Sequence, residues 1–360
     1  MTRAQIVATG GYQPGDPIDN DEILRLVGPL APDVQEGIAI QRRFWMIDPK
    51  TGEHLENNAD MGFKAAMKAL DTVGAEPGDV ELMIYSTGTP EYHLPATVNL
   101  VQEMLGIESC ATMELRSGGA GGVQGLDIAR MMLERGDFRT ALVIGAEAIS
   151  PVMAPIFLGK DPHKIRMRDR MPLYMFGDGA GAFLLQASDD DTGGIIGSAT
   201  RAIGGLRKPG IQSIGGGTHA PIHEQMARKR LVDLQVDVVG AGDFTPVMVT
   251  ESLTDTLTRS KIDVSTVDWC LIPEGNVGWM LDSLAEHGLL TPEWKALEGK
   301  IFDNLAQTGA CGSAAVPLFL DHAWRTKMIT PGHRVLLIGV EATKWIYGGA
   351  VVDWTAPTPA

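Results

Sequence analysis

The residue types best suited to covalent or metal chemistry are sparse in this sequence. Its three cysteines, Cys110, Cys270 and Cys311, form neither a CxxC pair nor a spacing typical of zinc ligands. Glycine-rich runs occur at GDGAGA (177–182) and IGGGT (214–218). Neither run has the Lys-Ser/Thr ending of a phosphate loop or the context of a dinucleotide fingerprint. The sequence therefore predicts neither a metal site nor a phosphate loop.

Four polar side chains stand in predicted turns or loops where they could meet a ligand. Arg116 lies in a strand-to-helix turn, where a guanidinium could clamp a carboxylate or phosphate, pair with Glu114 or reach a dimer interface. Ser117 follows near a helix start, where serine is more often an N-cap than a nucleophile. His93 and His219 are weaker candidates in separate loops.

Composition and charge limit the possible partners. The 360 residues are 44% hydrophobic and 21% charged, and no apolar stretch approaches the roughly 20 residues of a membrane-spanning helix. A net charge of −15 disfavours nucleic acid and anionic membranes. The chain begins without a charged-then-apolar leader, and the odd cysteine count suggests reduced thiols. We therefore expect a soluble cytoplasmic protein with no nucleic acid or membrane partner.

Apolar runs alternate with amphipathic helical stretches, which favours a mostly parallel α/β architecture. Four runs read as buried strands: Val80–Tyr85, Ala141–Ala146, Val267–Pro273 and Arg334–Val340. Helices are predicted between them, at Ala59–Val73, Gly121–Glu134 and Val247–Ser260.

An internal repeat organises these elements. LVIGAEA at Leu142 returns as LLIGVEA at Leu336, 194 residues further on. VELMIY at Val80 returns as VDWCLI at Val267, 187 residues further on. A looser pair joins SGGAGGVQGLDIA to CGSAAVPLFLDHA. Matches in one order at similar offsets predict two similar halves, 1–185 and 186–360, with a site where the halves meet.

Two segments of the sequence, MFGDGAGAFLL (175–185) and ALVIGAEAIS (141–150), carry a recognisable family pattern. The first matches an FGDGAGA segment almost letter for letter, and the second resembles an LVVGSD strand. Both motifs are typical of the ketoacyl synthase III branch of the thiolase superfamily, which the whole chain resembles. The resemblance implies the thiolase-type fold of duplicated βαβαβ halves in α/β/α/β/α layers. It also implies acyl transfer from a thioester, in which a cysteine at a helix N-terminus takes the acyl group while histidine and asparagine assist.

Carried over residue by residue, the resemblance implies that all three catalytic positions are replaced. In ELRSGGAGG (114–122) the cysteine position falls on Gly119. In PEGNV (273–277) the histidine position falls on Glu274, and in GACGSAAVP (309–317) the asparagine position falls on Ala310. A carboxylate in an apolar pocket needs a partner or a raised pKa, and a raised pKa makes it a usable general base. We therefore expect Glu274 to act as the base.

Other candidates follow from the same alignment. Lys344 is the expected partner of Glu274, with an outward-facing side chain as the alternative. Ser117 and Cys311 are alternative nucleophiles, although a small cysteine beside Ala310 more often serves packing. The resemblance places the expected substrate-binding residues around the same pocket and its mouth: Ala310, Asn276, His93, Arg116, Trp345 and His219.

Three functions remain open. The leading hypothesis is an acyltransferase of specialised metabolism that needs no bound cofactor. It would pass an acyl group from acyl-CoA or an acyl carrier protein directly to a small-molecule hydroxyl, amine or carbon acceptor, with Glu274 as base and the helix N-terminus at Gly119 stabilising the oxyanion. The second is a non-catalytic subunit paired with an active paralogue, and the third is thioester hydrolysis. We expect a homodimer, or a heterodimer in the second case.

Overall fold

The computed structural model describes residues 2–190, 192–228, 233–273 and 275–359. Within these residues, two five-stranded sheets and two two-stranded sheets form. The strands are β1 (Arg3–Tyr12), β2 (Ile18–Asp19), β3 (Arg42–Arg43), β4 (Leu82–Ser86), β5 (Ala111–Leu115), β6 (Thr140–Glu147), β7 (Gly179–Ser188), β8 (Gly194–Ala202), β9 (Ile211–Ile214), β10 (Asp233–Val236), β11 (Trp269–Leu271), β12 (Ile301–Phe302), β13 (Arg334–Glu341) and β14 (Ile346–Asp353).

The two large sheets repeat one topology. The first has the order β1-β7-β6-β4-β5 and the second, read from its other edge, the order β8-β14-β13-β11-β12. In both sheets the first two pairings are antiparallel and the last two are parallel. The predicted duplication of an α/β unit is confirmed at the level of strand order and direction.

The helices cover the sheets and separate them. Helices α5 and α13 contact strands of both large sheets and form a central layer, whereas α3 packs on the first sheet and α9 on the second. This is the predicted α/β/α/β/α arrangement. The helices are α1 (Asn20–Val27), α2 (Pro32–Ile38), α3 (Asn58–Val73), α4 (Thr97–Met104), α5 (Gly121–Arg135), α6 (Ser150–Met153), α7 (Met167–Met175), α8 (Ile222–Gln225), α9 (Val238–Ser260), α10 (Val277–Glu286), α11 (Pro292–Ala296), α12 (Leu305–Thr308) and α13 (Ala315–Arg325).

The expectation of mostly parallel sheets is wrong for half of the pairings in the two large sheets, and both two-stranded sheets are antiparallel. The four predicted strands correspond to β4, β6, β11 and β13, which do run parallel within their sheets. However, β7 and β14 run antiparallel to both of their neighbours. An apolar run indicates that both faces of a strand are buried. It does not indicate whether the strand runs parallel or antiparallel to its neighbours. Predicted helix Val247–Ser260 also starts earlier, at Val238.

The GDGAGA turn is held by one buried carboxylate. Asp178 accepts hydrogen bonds from the amides of Met46 (2.8 Å), Ile149 (2.6 Å) and Ser150 (2.9 Å), and from the Ser150 hydroxyl. Burial raises the pKa of Asp178 to about 6, while these hydrogen bonds oppose the rise. Asp178 therefore ties the segment before β7 to the loop after β6.

The amino-terminal turns of α5 and α13 meet between the two halves. Each helix follows a short 3-10 turn, at 118–120 and 312–314, whose first residue is a glycine with positive φ: +43° at Gly118 and +46° at Gly312. Residues other than glycine rarely adopt a backbone conformation with positive φ. A Cβ at Gly312 would also lie 2.6 Å from Cγ of Glu147, and one at Gly118 would overlap the carboxylate of Glu341. Each half thus places a glutamate over the glycine of the other half.

Glu147 makes the first of these contacts at the end of β6. Its carboxylate is 3% exposed and accepts hydrogen bonds from the Gly88 amide (2.7 Å), the Thr89 hydroxyl (2.9 Å) and the Ser313 hydroxyl (3.1 Å). Ser313 Oγ also lies 3.0 Å from the Gly118 carbonyl oxygen. Because that hydroxyl has one proton, it can donate to only one of the two acceptors at a time. Burial raises the pKa of Glu147 to about 7.

This raised pKa predicts how folding stability depends on pH. The folded state holds the Glu147 proton more tightly than the unfolded chain, whose pKa is near 4.5. Stability from this carboxyl is therefore lost as pH rises from about 4.5 to about 7, by about 3 kcal/mol. Glu147→Gln removes the titration. We expect urea denaturation at pH 4.5 and pH 7.5 to show a smaller loss of unfolding free energy in E147Q than in the parent. The exposed-site control E298Q should follow the parent, and equal losses in E147Q and the parent would contradict the prediction.

Candidate active site

The backbone amide of Gly119 lies at the entrance to α5, in the turn expected to bind the reacting carbonyl. The capping residue Ala120 makes no side-chain hydrogen bond to the helix. Instead, the Gly119 amide donates to Oε2 of Glu341 at 2.7 Å, and the Thr343 amide donates to Oε1 at 2.7 Å. Burial raises the pKa of Glu341, while these hydrogen bonds lower it. The Gly119 amide is therefore engaged by Glu341 in this conformation, and its expected role in stabilising an oxyanion stays a prediction.

Position 119 has no space for a side chain. A Cβ there would overlap the Val340 carbonyl oxygen, which belongs to β13 of the other half. In the reverse direction, a Cβ at Gly339 would lie 2.5 Å from the Gly119 carbonyl oxygen. The two backbones approach so closely that a nucleophilic side chain at position 119 would require one of them to move.

The turn residues before Gly119 do not form a nucleophile with a base. Ser117 is buried, and its hydroxyl donates to Oε1 of Gln124 on α5. Ser117 is the N-cap residue of the 3-10 turn at 118–120, as its position predicts, but its hydroxyl makes no capping hydrogen bond. Arg116 is exposed. Glu114, its suggested partner, accepts a hydrogen bond from the Val98 amide at 3.3 Å.

Cys311 is a packed thiol rather than a reactive one. It is fully buried, and Sγ lies 3.4 Å from the Thr308 carbonyl oxygen and 3.3 Å from that of Gly309. Burial raises the pKa of the thiol, and the nearby carboxylates raise it further. Because the thiolate is the nucleophilic form, this environment contradicts the interpretation of Cys311 as a nucleophile and supports the packing alternative.

Ala310 acts through its backbone. Its amide donates to the Met175 carbonyl at 2.8 Å, and its carbonyl accepts from the Gly177 amide at 3.1 Å. These bonds fasten the turn before α13 to the turn before β7. Their geometry gives Ala310 a structural function and leaves its expected contact with substrate a prediction.

The loop after β13 is anchored to the segment that follows β8. Lys344 is exposed. Its ammonium group donates to the Arg207 carbonyl and, at 3.4 Å, to the Gly205 carbonyl. Trp345 is 1% exposed, and its indole N–H donates to the Lys208 carbonyl at 2.7 Å. Its ring packs edge-on against Phe244, with 5.2 Å between centroids. The prediction that Trp345 binds substrate is therefore not supported, since its ring and its polar atom are already engaged.

Asn276, His93 and His219 are the other predicted site residues that the structure describes. Asn276 caps α10, accepting from the Trp279 amide at 3.2 Å, whereas His93 and His219 are exposed. His93 lies against the turn at Gly216, where an added Cβ would lie 3.1 Å from its Nε2. Glu274 lies outside the described residues. Its role as a base and its pairing with Lys344 stay predictions.

Two functional candidates escaped the sequence reasoning. Glu147 and Glu341 are the penultimate letters of the repeated LVIGAEA and LLIGVEA strands, so the signal was present. A glutamate shared by two repeated strands is explained by duplication alone, so the repeat does not by itself indicate a site residue. Only the packing of the two halves shows that each carboxylate reaches the helix turn of the opposite half.

Other site classes find no support in the described part of the chain. There, no group of three or more His, Cys, Asp or Glu side chains is placed to hold a metal ion. Among those same residues, no helix is both long and apolar enough to cross a membrane.

Comparisons with known proteins identify the family of this chain. A sequence model of 3-oxoacyl-(acyl-carrier-protein) synthase III matches residues 113–204, and a model of that enzyme's C-terminal region matches residues 257–354. Together the two matches cover just over half of the chain. The first contains the Gly119 turn and the second contains the Glu341 loop.

Full-length relatives and a solved structure extend these matches. The beta-ketoacyl-(acyl-carrier-protein) synthase III of Neisseria meningitidis serogroup B is 28% identical over 345 residues, covering 94% of this chain and 96% of the relative. The synthase III of Clostridioides difficile is 26% identical over 357 residues, covering 98% and 99%. The structure of AbyA1, a tetronic acid condensing enzyme, aligns with a TM-score of 0.82 at 26% identity, covering 97% of this chain and 99% of AbyA1. The chain therefore belongs to the ketoacyl synthase III-like family of the thiolase superfamily.

Proposed function

We propose that this protein is an acyltransferase that passes an acyl group from a thioester directly to an acceptor, without a cysteine-bound intermediate. The observation that carries the proposal is the absence of space at position 119, where a Cβ would overlap the Val340 carbonyl oxygen. The one thiol near the turn, Cys311, is buried with a raised pKa. Membership of the ketoacyl synthase III-like family is the reason to expect a thioester as the acyl donor. The lack of space at position 119 and the burial of Cys311 are the reasons to expect no cysteine-bound acyl intermediate.

In the proposed reaction, Glu274 takes the proton of an acceptor O–H, N–H or C–H group. The acceptor atom then bonds to the thioester carbonyl carbon, and the carbon–sulfur bond breaks as the tetrahedral intermediate collapses. The departing thiolate receives the proton from Glu274, so the carboxylate is regenerated. The Gly119 amide would stabilise the oxyanion, which requires that Glu341 first release it.

The expected donor is acyl-CoA or an acyl carrier protein, in keeping with relatives named as acyl-carrier-protein synthases. Similarity to a tetronic acid condensing enzyme supports a place in specialised metabolism.

The position of β5 supports a dimer. This strand is the last of the first sheet, so it pairs with β4 along one edge and, within the described residues, has no partner strand along the other. An open strand edge of this kind offers a surface for pairing with a second chain. We expect a cytoplasmic homodimer.

A second candidate is a non-catalytic subunit that pairs with an active paralogue. The bond between Glu341 and the Gly119 amide favours it, because the oxyanion-binding group is already occupied. In that case the isolated chain is inactive, prefers a heterodimer, and co-purifies with a paralogue that keeps the Cys-His-Asn residues.

The direct-transfer proposal predicts the behaviour of Glu274→Gln. Loss of a general base should lower kcat by roughly 10²–10⁴-fold, measured as thiol release from a panel of acyl-CoA donors and small acceptors. The control E286Q removes an exposed carboxylate on α10 and should match the parent. If E274Q and the parent react equally, Glu274 is not the base.

Direct transfer also predicts the mass of the protein during turnover. Intact-mass spectrometry after incubation with a labelled acyl thioester should show no adduct on the parent chain. A stable adduct on Ser117 or Cys311 would refute the proposal, because it would identify a covalent carrier.

Restoring a cysteine should not restore the family's covalent chemistry. Gly119→Cys forces its Cβ onto the Val340 carbonyl oxygen, so we expect a loss of about 1–3 kcal/mol in unfolding free energy and no acyl adduct. The control G78C places the same side chain where no heavy atom lies within 4 Å, and its stability should stay close to the parent's. A stable G119C that becomes acylated would show that the turn adapts.

A further inference from the structure

Glu341 occupies the place that a ligand oxygen needs in order to reach the start of α5. Its Oε2 lies 2.7 Å from the Gly119 nitrogen, and the carboxylate fills the space over Gly118 that a Cβ would otherwise take. The Thr343 amide holds the second oxygen at 2.7 Å. We infer that Glu341 is an internal ligand of the α5 amino terminus and inhibits the site until it is displaced. The inference rests on the proposed function for the identity of the displacing ligand, a thioester carbonyl.

Electrostatics favour the internal ligand over the substrate. The start of a helix carries partial positive charge, and an ionised acceptor forms a shorter, stronger hydrogen bond to an amide than a neutral carbonyl does. A thioester carbonyl is neutral before attack, so Glu341 outcompetes it in the resting conformation. The oxyanion formed during attack carries a full charge and is a much better competitor.

The surroundings allow the side chain to leave while its loop stays in place. Lys344 and Trp345 fasten the loop through carbonyls of residues 205, 207 and 208, so the backbone is held independently of the carboxylate. Burial, and to a smaller extent the Glu341 carboxylate, raise the pKa of Glu147, so the two carboxylates repel each other when both are ionised. Rotation of the Glu341 side chain therefore breaks two hydrogen bonds and relieves this repulsion.

Removing the internal ligand should strengthen binding of the external one. A protein whose binding-competent state is sparsely populated shows a weakened apparent affinity, and a change that fixes the open state removes this penalty. We expect Glu341→Ala to bind a non-hydrolysable acetyl-CoA analogue, with CH₂ in place of sulfur, at least about 10-fold more tightly than the parent by calorimetry. Glu341→Gln keeps the side-chain volume without the charge and should fall between them. E298A, at an exposed glutamate, should match the parent.

A second probe separates this inference from the proposed function. Sodium acetate is a minimal carboxylate that can replace the missing Glu341 group, and ¹⁵N-glycine spectra report the Gly119 amide. We expect acetate to shift that amide in E341A and to leave it unchanged in the parent. Acetate binding to E341A with no analogue binding to any variant supports the internal ligand and refutes the proposed function.

Two results would overturn the internal-ligand inference. One is equal affinity of the parent, E341Q and E341A for the analogue. The other is a Gly119 amide in E341A that does not respond to acetate. E341Q keeps the comparison of affinities valid if E341A fails to fold.

Discussion

The close approach of the two helix-start turns is the constraint on which the rest of the structure depends. Gly118 and Gly312 have positive φ, and neither position could carry a side chain without colliding with a glutamate of the opposite half. The glutamates, Glu147 and Glu341, end the equivalent strands β6 and β13. Duplication of the α/β unit therefore duplicates this contact, and the two copies lock the halves together at the position where chemistry is expected.

The two copies of the contact differ in a way that matters for function. Glu147 accepts hydrogen bonds from an amide and two hydroxyls of two segments, and its partner Ser313 lies in the turn before α13. Glu341 binds the Gly119 amide, and position 119 lacks a side chain. The first arrangement is a closed polar network that fixes the junction. The second places a charged, displaceable group over the amide that acyl chemistry would use, which makes it the more informative feature for function.

Stability and catalysis compete for the same atoms here. A buried carboxylate must be compensated by hydrogen bonds, and backbone amides at a helix start provide them. The same amides are preorganised donors for a developing oxyanion. In this protein at least one such amide binds a side chain of the same chain instead. The hydrogen bond that stabilises the Glu341 carboxylate therefore occupies a donor that the proposed reaction needs.

The sequence by itself determined the duplicated α/β fold. Apolar strand patterns and internal repeats can be recognised along the chain without knowing which residues are in contact. The sequence also located the Gly119 turn. It could not determine strand direction, since two-sided burial looks the same in β6 and β7. Nor could it show that Ser117 faces Gln124, that Trp345 is buried, or that Glu341 binds Gly119. Those facts depend on contacts between residues far apart in the chain, which only tertiary packing brings together.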